Sequence, residues 1–240
     1  MQVELRCVSK SYSSENVLDE IDTKIQPGTL VALVGTNGAG KTTLLKIMAT
    51  LNAIDSGAVL FDDQRLIRGR TDLRRKLHYL SESPFFLAGT PLDHVCMAAT
   101  LYGRDLNSLK HQIVDWLQQF DLLEKAEQSI RRLSRGQKYK VAFIGLLAAN
   151  PELWLLDEPF AAGVDPTGIS AIKRCINKVI GSGRIVIYST QIVEIAEHFS
   201  DRLWVLHKGK LKVDAETSKV VSGESTFGLA GVFQQLRMAK

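Results

Sequence analysis

At 240 residues, with 45% hydrophobic and 23% charged positions, the chain has material for one large domain or for a core carrying a subdomain. Its 30 basic and 26 acidic residues leave a net charge of +4, too mixed a balance to argue for a nucleic-acid partner. Cys7, Cys96 and Cys175 are scattered, odd in number and without metal-type spacing, which points to a reducing compartment. Residues Met1 to Arg6 lack the layout of a signal peptide, and no apolar run approaches a membrane span, so any membrane role requires a second polypeptide.

The first 34 residues alternate short β-type runs with turns: Val3 to Val8, Ile21 to Ile25 and Leu30 to Val34, with Pro27-Gly28 before the last. They predict a small antiparallel sheet leading into Gly35-Thr36-Asn37-Gly38-Ala39-Gly40-Lys41-Thr42. That stretch has the G-x-x-x-x-G-K-[ST] spacing between an apolar strand and a helix. Its glycines let backbone N–H groups turn inward on an anion, and the helix opening at Lys41 adds the positive end of its dipole. Lys41 reaches the outer phosphates, Thr42 offers a hydroxyl to Mg²⁺ and Thr43 donates to a nearer phosphate, so MgATP or MgGTP is the expected ligand.

Leu44, Leu45, Ile47, Met48 and Leu51 recur at helical spacing, Asp55-Ser56-Gly57 punctuates, and Ala58 to Phe61 resumes as strand. From about residue 91 to 149 the pattern is helical, with Leu106, Leu109, Ile113, Trp116, Leu117 and Phe120 predicting one buried face. Leu133-Ser134-Arg135-Gly136-Gln137 opens a helix there and reads either as a capped helix start or as a second anion site. Strand and helix then alternate again: Leu153 to Asp157, Pro166 to Ile180, Arg184 to Tyr188, Ile192 to Phe199 and Leu203 to Leu206. The fold class is therefore α/β, a nucleotide-binding core interrupted by a helical insertion. Asp157 and Glu158 end an apolar strand, where one carboxylate serves the Mg²⁺ shell and the other lies within reach of an attacking water.

Gly35 to Thr43, Leu133 to Gln137, Leu153 to Glu158 and Asp165-Pro166, in this order and spacing, resemble the ATPase subunit of an ATP-binding cassette (ABC) transporter over about residues 3 to 214. The resemblance implies a P-loop NTPase core with an antiparallel β subdomain and an inserted helical subdomain, one domain over 1–240 ending in a tail from about 215. It implies two such subunits, as a homodimer, stacked head to tail, with the phosphate loop of one facing Leu133 to Gln137 of the other across ATP. Tyr12 would stack on adenine, Glu158 would polarise water, Thr42, Glu82 and Asp157 would serve Mg²⁺, and Asp165 would lie in the loop crossing the interface.

Three positions depart from the family. Glu82 stands where Gln is frequent. The loop Asp157-Glu158-Pro159-Phe160-Ala161-Ala162-Gly163-Val164-Asp165 holds one residue more than Asp-Glu-Pro-x-x-x-x-Asp. Gln191 replaces the switch histidine after Ser189-Thr190; it offers a hydrogen bond to the γ-phosphate but no positive charge, while His198 and His207 read as structural or surface residues.

The expected function is an ATPase at the cytoplasmic face of a membrane, working with a separately encoded integral permease. The short Met48 to Leu51 and Asp55 to Gly57 segments and the small insertion resemble bacterial exporters, including haem export for cytochrome c assembly. The alternatives are an ABC ATPase of an assembly complex of the iron–sulfur type and a nucleotide-gated subunit with weak hydrolysis. Pro84-Phe85-Phe86-Leu87 either docks the permease or fills the insertion's own core.

Overall fold

The structure is a computed structural model and describes residues 1–13, 15–222 and 231. Strands β1 (Val3–Tyr12) and β2 (Glu15–Ile25) pair antiparallel, with Val3 opposite Ile25. Val3 and Leu5 share the inward face, yet the next buried residue is Val8, an odd interval that period-2 alternation forbids. A bulge between Leu5 and Val8, with Cys7 at φ 46°, absorbs the extra residue and restores the apolar face. This sheet is completed by two later strands.

Strand β3 (Leu30–Val34) leaves it and enters a second sheet; it is buried throughout. The phosphate loop follows, then helix α1 (Lys41–Met48). Strands β4 (Ser56–Phe61) and β5 (Gln64–Arg65) return to the small sheet, whose order is β2-β1-β4-β5. Helix α2 (Thr71–Arg74) precedes β6 (Leu77–Leu80).

Three long helices follow. Helix α3 (Pro91–Leu101) starts at a capping box between Thr90 and Asp93 with proline in the first turn, and α4 (Leu106–Gln119) is capped by Asp105. Leu109, Ile113, Leu117 and Phe120 form the buried stripe, whereas Leu106 is exposed and Trp116 is half-buried. Helix α5 (Arg135–Ala149) is capped by Ser134 and stops at Asn150, whose φ of 49° is left-handed.

The core closes with β7 (Leu153–Leu156), α6 (Pro166–Ile180), β8 (Ile185–Thr190), α7 (Val193–His198), β9 (Arg202–His207), β10 (Lys210–Glu216) and α8 (Thr217–Val221). The second sheet runs β10-β9-β3-β8-β7-β6, parallel except for β10, and its central strands are uninterrupted apolar runs because helices or the small sheet cover both faces. Leu30, Ala32 and Val34 face the core shared with the helical insertion. Val31 and Leu33 face the core shared with α1 and the small sheet. Residues 215–222 are therefore not a tail: they finish β10 and form α8, while most of the expected tail beyond them lies outside the described residues. Asp214 on β10 joins the sheets, accepting from Thr23 Oγ1 at 2.6 Å and Trp204 Nε1 at 2.8 Å.

Candidate nucleotide site

Because β9, β3, β8, β7 and β6 are parallel neighbours, the residues that leave their C-terminal ends meet along one edge, where open parallel sheets present their ligand crevice. There a cleft of about 370 Å³ is lined by the loop from Thr36 to Thr43 and by Tyr12, Glu82, Asp157, Glu158 and Gln191. Gly35 lies just beneath, its carbonyl accepting from Lys41 Nζ at 2.8 Å; Thr36 O is 3.3 Å from the same ammonium. Only 7% of Lys41 is exposed. Burial pushes its pKa below the ordinary value against the opposing pull of Glu158 and Asp157, so this cation stands ready for an anion that replaces lost water.

Asp157 is buried, and among the described residues every hydrogen bond to its carboxylate comes from a hydroxyl. Thr42 Oγ1 lies 2.9 and 3.1 Å from its two oxygens, Tyr79 OH donates at 2.9 Å and Ser189 Oγ at 2.6 Å. The Thr42 hydroxyl and the Asp157 carboxylate are hard oxygen donors of the kind Mg²⁺ takes together with phosphate oxygens and water. Among the described residues no group of three or more His, Cys, Asp or Glu is placed to hold a metal ion.

The Ser189 hydroxyl bridges the two acidic residues: it donates to the Asp157 carboxylate and accepts from the Glu158 backbone N–H at 2.9 Å. That second bond helps hold Glu158 at φ 48°, a left-handed conformation that costs a residue with a side chain about 1 kcal/mol or more. In return the side chain turns into the cleft, with Oε1 3.7 Å from Lys41 Nζ and 3.4 Å from Gln191 Nε2. Gln191 thus engages the residue expected to polarise water.

The stretch Leu133 to Gln137 stays outside this cleft. Ser134 Oγ accepts from the Gln137 N–H at 3.2 Å, and the Gln137 side chain accepts from the Ser134 N–H at 3.0 Å, a closed capping box. Gly136 is buried, and a Cβ built there falls 2.1 Å from the carbonyl oxygen of Gly163. Gly163 takes φ 72°, and its backbone fills the space a side chain at 136 would need. Asp165 caps α6 through the Gly168 N–H at 2.8 Å and pairs with the buried Lys140 ammonium of α5 at 2.8 Å, which holds its carboxyl below the usual range.

Glu82 lines the cleft with Thr42 and Asp157, and its carboxylate forms an ion pair with Arg135 at the surface. Tyr12 is 45% exposed at the cleft rim; its hydroxyl accepts from Asn52 Nδ2 at 2.7 Å and its ring lies under the Lys10 ammonium. His198 bonds the Glu194 carbonyl within its own helix at 2.8 Å, and neither it nor His207 lines the cleft.

Tyr79, Ser189 and Lys140 were not singled out in the sequence. Burial, followed by the Asp157 charge, raises the Tyr79 pKa, so this hydroxyl keeps its proton and remains a donor. The available signal was positional, since Tyr79 and Ser189 lie at the C-terminal ends of strands flanking the one that delivers Asp157.

A family model described as "ABC transporter" fits residues 18–161. The lantibiotic transport ATP-binding protein SrtF of Streptococcus pyogenes is 26% identical over 98% of this chain and all of its own length. The ABC-type transporter ATP-binding protein EcsA of Bacillus subtilis is 27% identical over 87% of this chain and 85% of its own. Among solved structures, an ATP-binding subunit of an ABC transporter superposes with a TM-score of 0.91 at 29% identity, covering 99% of this chain and 100% of that one. A dimeric ATP-binding cassette in a post-hydrolysis state with ADP and Pi gives 0.81 at 25% identity, covering 90% and 98%. Among the described residues no helix is long and apolar enough to cross a membrane.

Proposed function

We propose that this chain, which belongs to the ABC transporter family of ATPases, energises an exporter by pairing with a second copy of itself around MgATP and docking on a separate integral permease. The observation that carries the reading is the division of the motifs. Lys41, Thr42, Asp157, Glu158 and Gln191 converge on one cleft, while Leu133 to Gln137 caps a helix outside it and is left for the ATP of a partner. Lys41 and the loop amides bind the phosphates, Thr42 and Asp157 hold Mg²⁺, which offsets phosphate charge, and Glu158 orients the attacking water and accepts its proton. Tyr12 stacks on the base, and Asp165 carries the interface loop.

The permease side is the cleft of about 280 Å³ between β6, the segment after it and α3, lined by Phe85, Phe86, Met97, Leu101 and Tyr102. Phe85 is 87% exposed and Leu87 is 60% exposed, whereas Phe86 packs edge-on against His94 and joins the core. The two phenylalanines therefore divide the readings made for them. Phe85→Asp weakens co-purification with the permease by about 30-fold or more, the scale of an aromatic anchor at an interface. It leaves the melting temperature of the isolated subunit in place, and Phe86→Asp lowers it. A Phe85→Asp subunit that still co-purifies at wild-type yield removes this surface from the interface.

Weak hydrolysis is favoured by one observation, the neutral amide of Gln191 beside Glu158. An imidazole at this position accepts positive charge as the reaction develops; an amide does not. Gln191→His accordingly raises ATP turnover about 10- to 100-fold, on the order of 1 to 3 kcal/mol, with ATP affinity by calorimetry little changed. A level or lower rate means that the lengthened loop has rebuilt the site around glutamine.

A further inference from the structure

A second cleft, of about 460 Å³, opens between α4, the ends of α5 and α6, and the turn that enters β8. It is larger than the cleft at the phosphate loop and falls within the ~300–1,000 Å³ usual for small-molecule sites. Four cations line it, Arg104, Arg174, Lys178 and Arg184, and no Asp or Glu does. Its apolar wall includes Leu109, Val179 and the half-buried Trp116.

Among the described residues none of these four cations has a carboxylate within ion-pair distance. The acid whose charge reaches Arg184, Glu152, is committed elsewhere, to Lys76 at 3.6 Å and to the N-terminal amine at 3.7 Å. Arg184 donates through Nη1 to Ser182 Oγ at 2.7 Å, but its Nε is buried without a hydrogen-bond partner. A guanidinium nitrogen withdrawn from water and left unpaired is costly, and native structures leave few such groups unless something else satisfies them. Burial and the neighbouring Arg104 charge both work against the Arg184 cation.

A bland account covers part of this. Basic side chains collect at helix C-termini, where the dipole is negative, and Lys178 lies in the last turn of α6. That account leaves the cluster of three arginines and the unpaired Nε unexplained. Cys175 adds no reactivity, because burial raises its pKa and keeps it a thiol, so the chemistry of the cleft is recognition.

We infer that this cleft binds a small organic anion carrying at least two negative oxygen groups, held by Arg104, Arg174, Lys178 and Arg184, with its planar apolar part against Trp116. Such an occupant spans α4 of the helical insertion and α6 of the core, and it sits at the end of β8 opposite to Gln191.

Trp154 and Trp204 are fully buried, which makes Trp116 the tryptophan able to report on an occupant. With the phosphate loop saturated by MgADP, the intact protein is titrated with benzene-1,3,5-tricarboxylate, or with sulfate at equal ionic strength, and followed by fluorescence and calorimetry. The tricarboxylate gives saturable quenching. Arg174→Glu, an exposed change that spares the core, and Arg184→Gln each weaken binding about tenfold or more, as loss of a charge-assisted hydrogen bond does. Trp116→Phe removes the quenching but keeps the heat of binding. Wild-type affinity in the Arg174→Glu protein, or no saturation below about 5 mM, roughly the weakest binding such a site supports, overturns the site. Sulfate binding as tightly as the tricarboxylate overturns the organic ligand class.

Discussion

Lys41→Ala yields a folded protein that has lost MgATP. The ammonium is almost fully buried and its charged form is disfavoured by burial, so the fold gains little from it. Its partners are the Gly35 and Thr36 carbonyls and, at 3.7 Å, the Glu158 carboxylate, all at the edge of an open cleft where water satisfies them once the side chain is gone. The phosphates, by contrast, lose a desolvated cation, a change worth about 2–5 kcal/mol, or roughly 30- to 5,000-fold in affinity. Calorimetry with MgATP and a thermal melt of the same sample provide the check. Wild-type affinity in the variant contradicts the phosphate-loop assignment, and a collapsed melting temperature assigns Lys41 to the fold.

Glu158→Gln slows hydrolysis about 100-fold or more while retaining ATP, because the amide keeps the shape of the carboxylate and loses its capacity to take a proton. The side chain stays in place, since its direction is set by the backbone at φ 48° and by the Ser189 bond to its N–H. With turnover stalled, the ATP-bound pair of subunits accumulates and light scattering reports doubled mass on adding ATP. Wild-type turnover, with no dimer, removes Glu158 from the role.

These effects rest on residues that were legible because they are contiguous. The phosphate loop is one uninterrupted run, and Asp157-Glu158 follows a strand that announces itself by four buried apolar residues. Parallel strands buried on both faces are equally plain. β10 was not, since Lys210 to Glu216 mixes exposed and half-buried positions with no fully buried face, and β5 is two exposed residues long. Tyr79 and Ser189 escaped for another reason. Their roles arise from strand register: Leu156 pairs with Tyr188, so the next residue on each strand brings Asp157 beside Ser189. Such adjacency belongs to the sheet and to no local run of sequence. The Arg135 partner of Glu82 was likewise not legible, because 53 positions separate the two along the chain.

The seat that Gly163 takes against Gly136 has a historical consequence. With a carbonyl 2.1 Å from where a Cβ at 136 would lie, the longer loop and the glycine of the signature helix form one heritable unit. A lineage carrying this loop cannot accept a side chain at 136 before the loop shortens or moves away, so the order of mutational steps is constrained. On the head-to-tail pairing proposed above, the same glycine would answer to a second demand, from the nucleotide of a neighbour, and relief of either would leave the other in force.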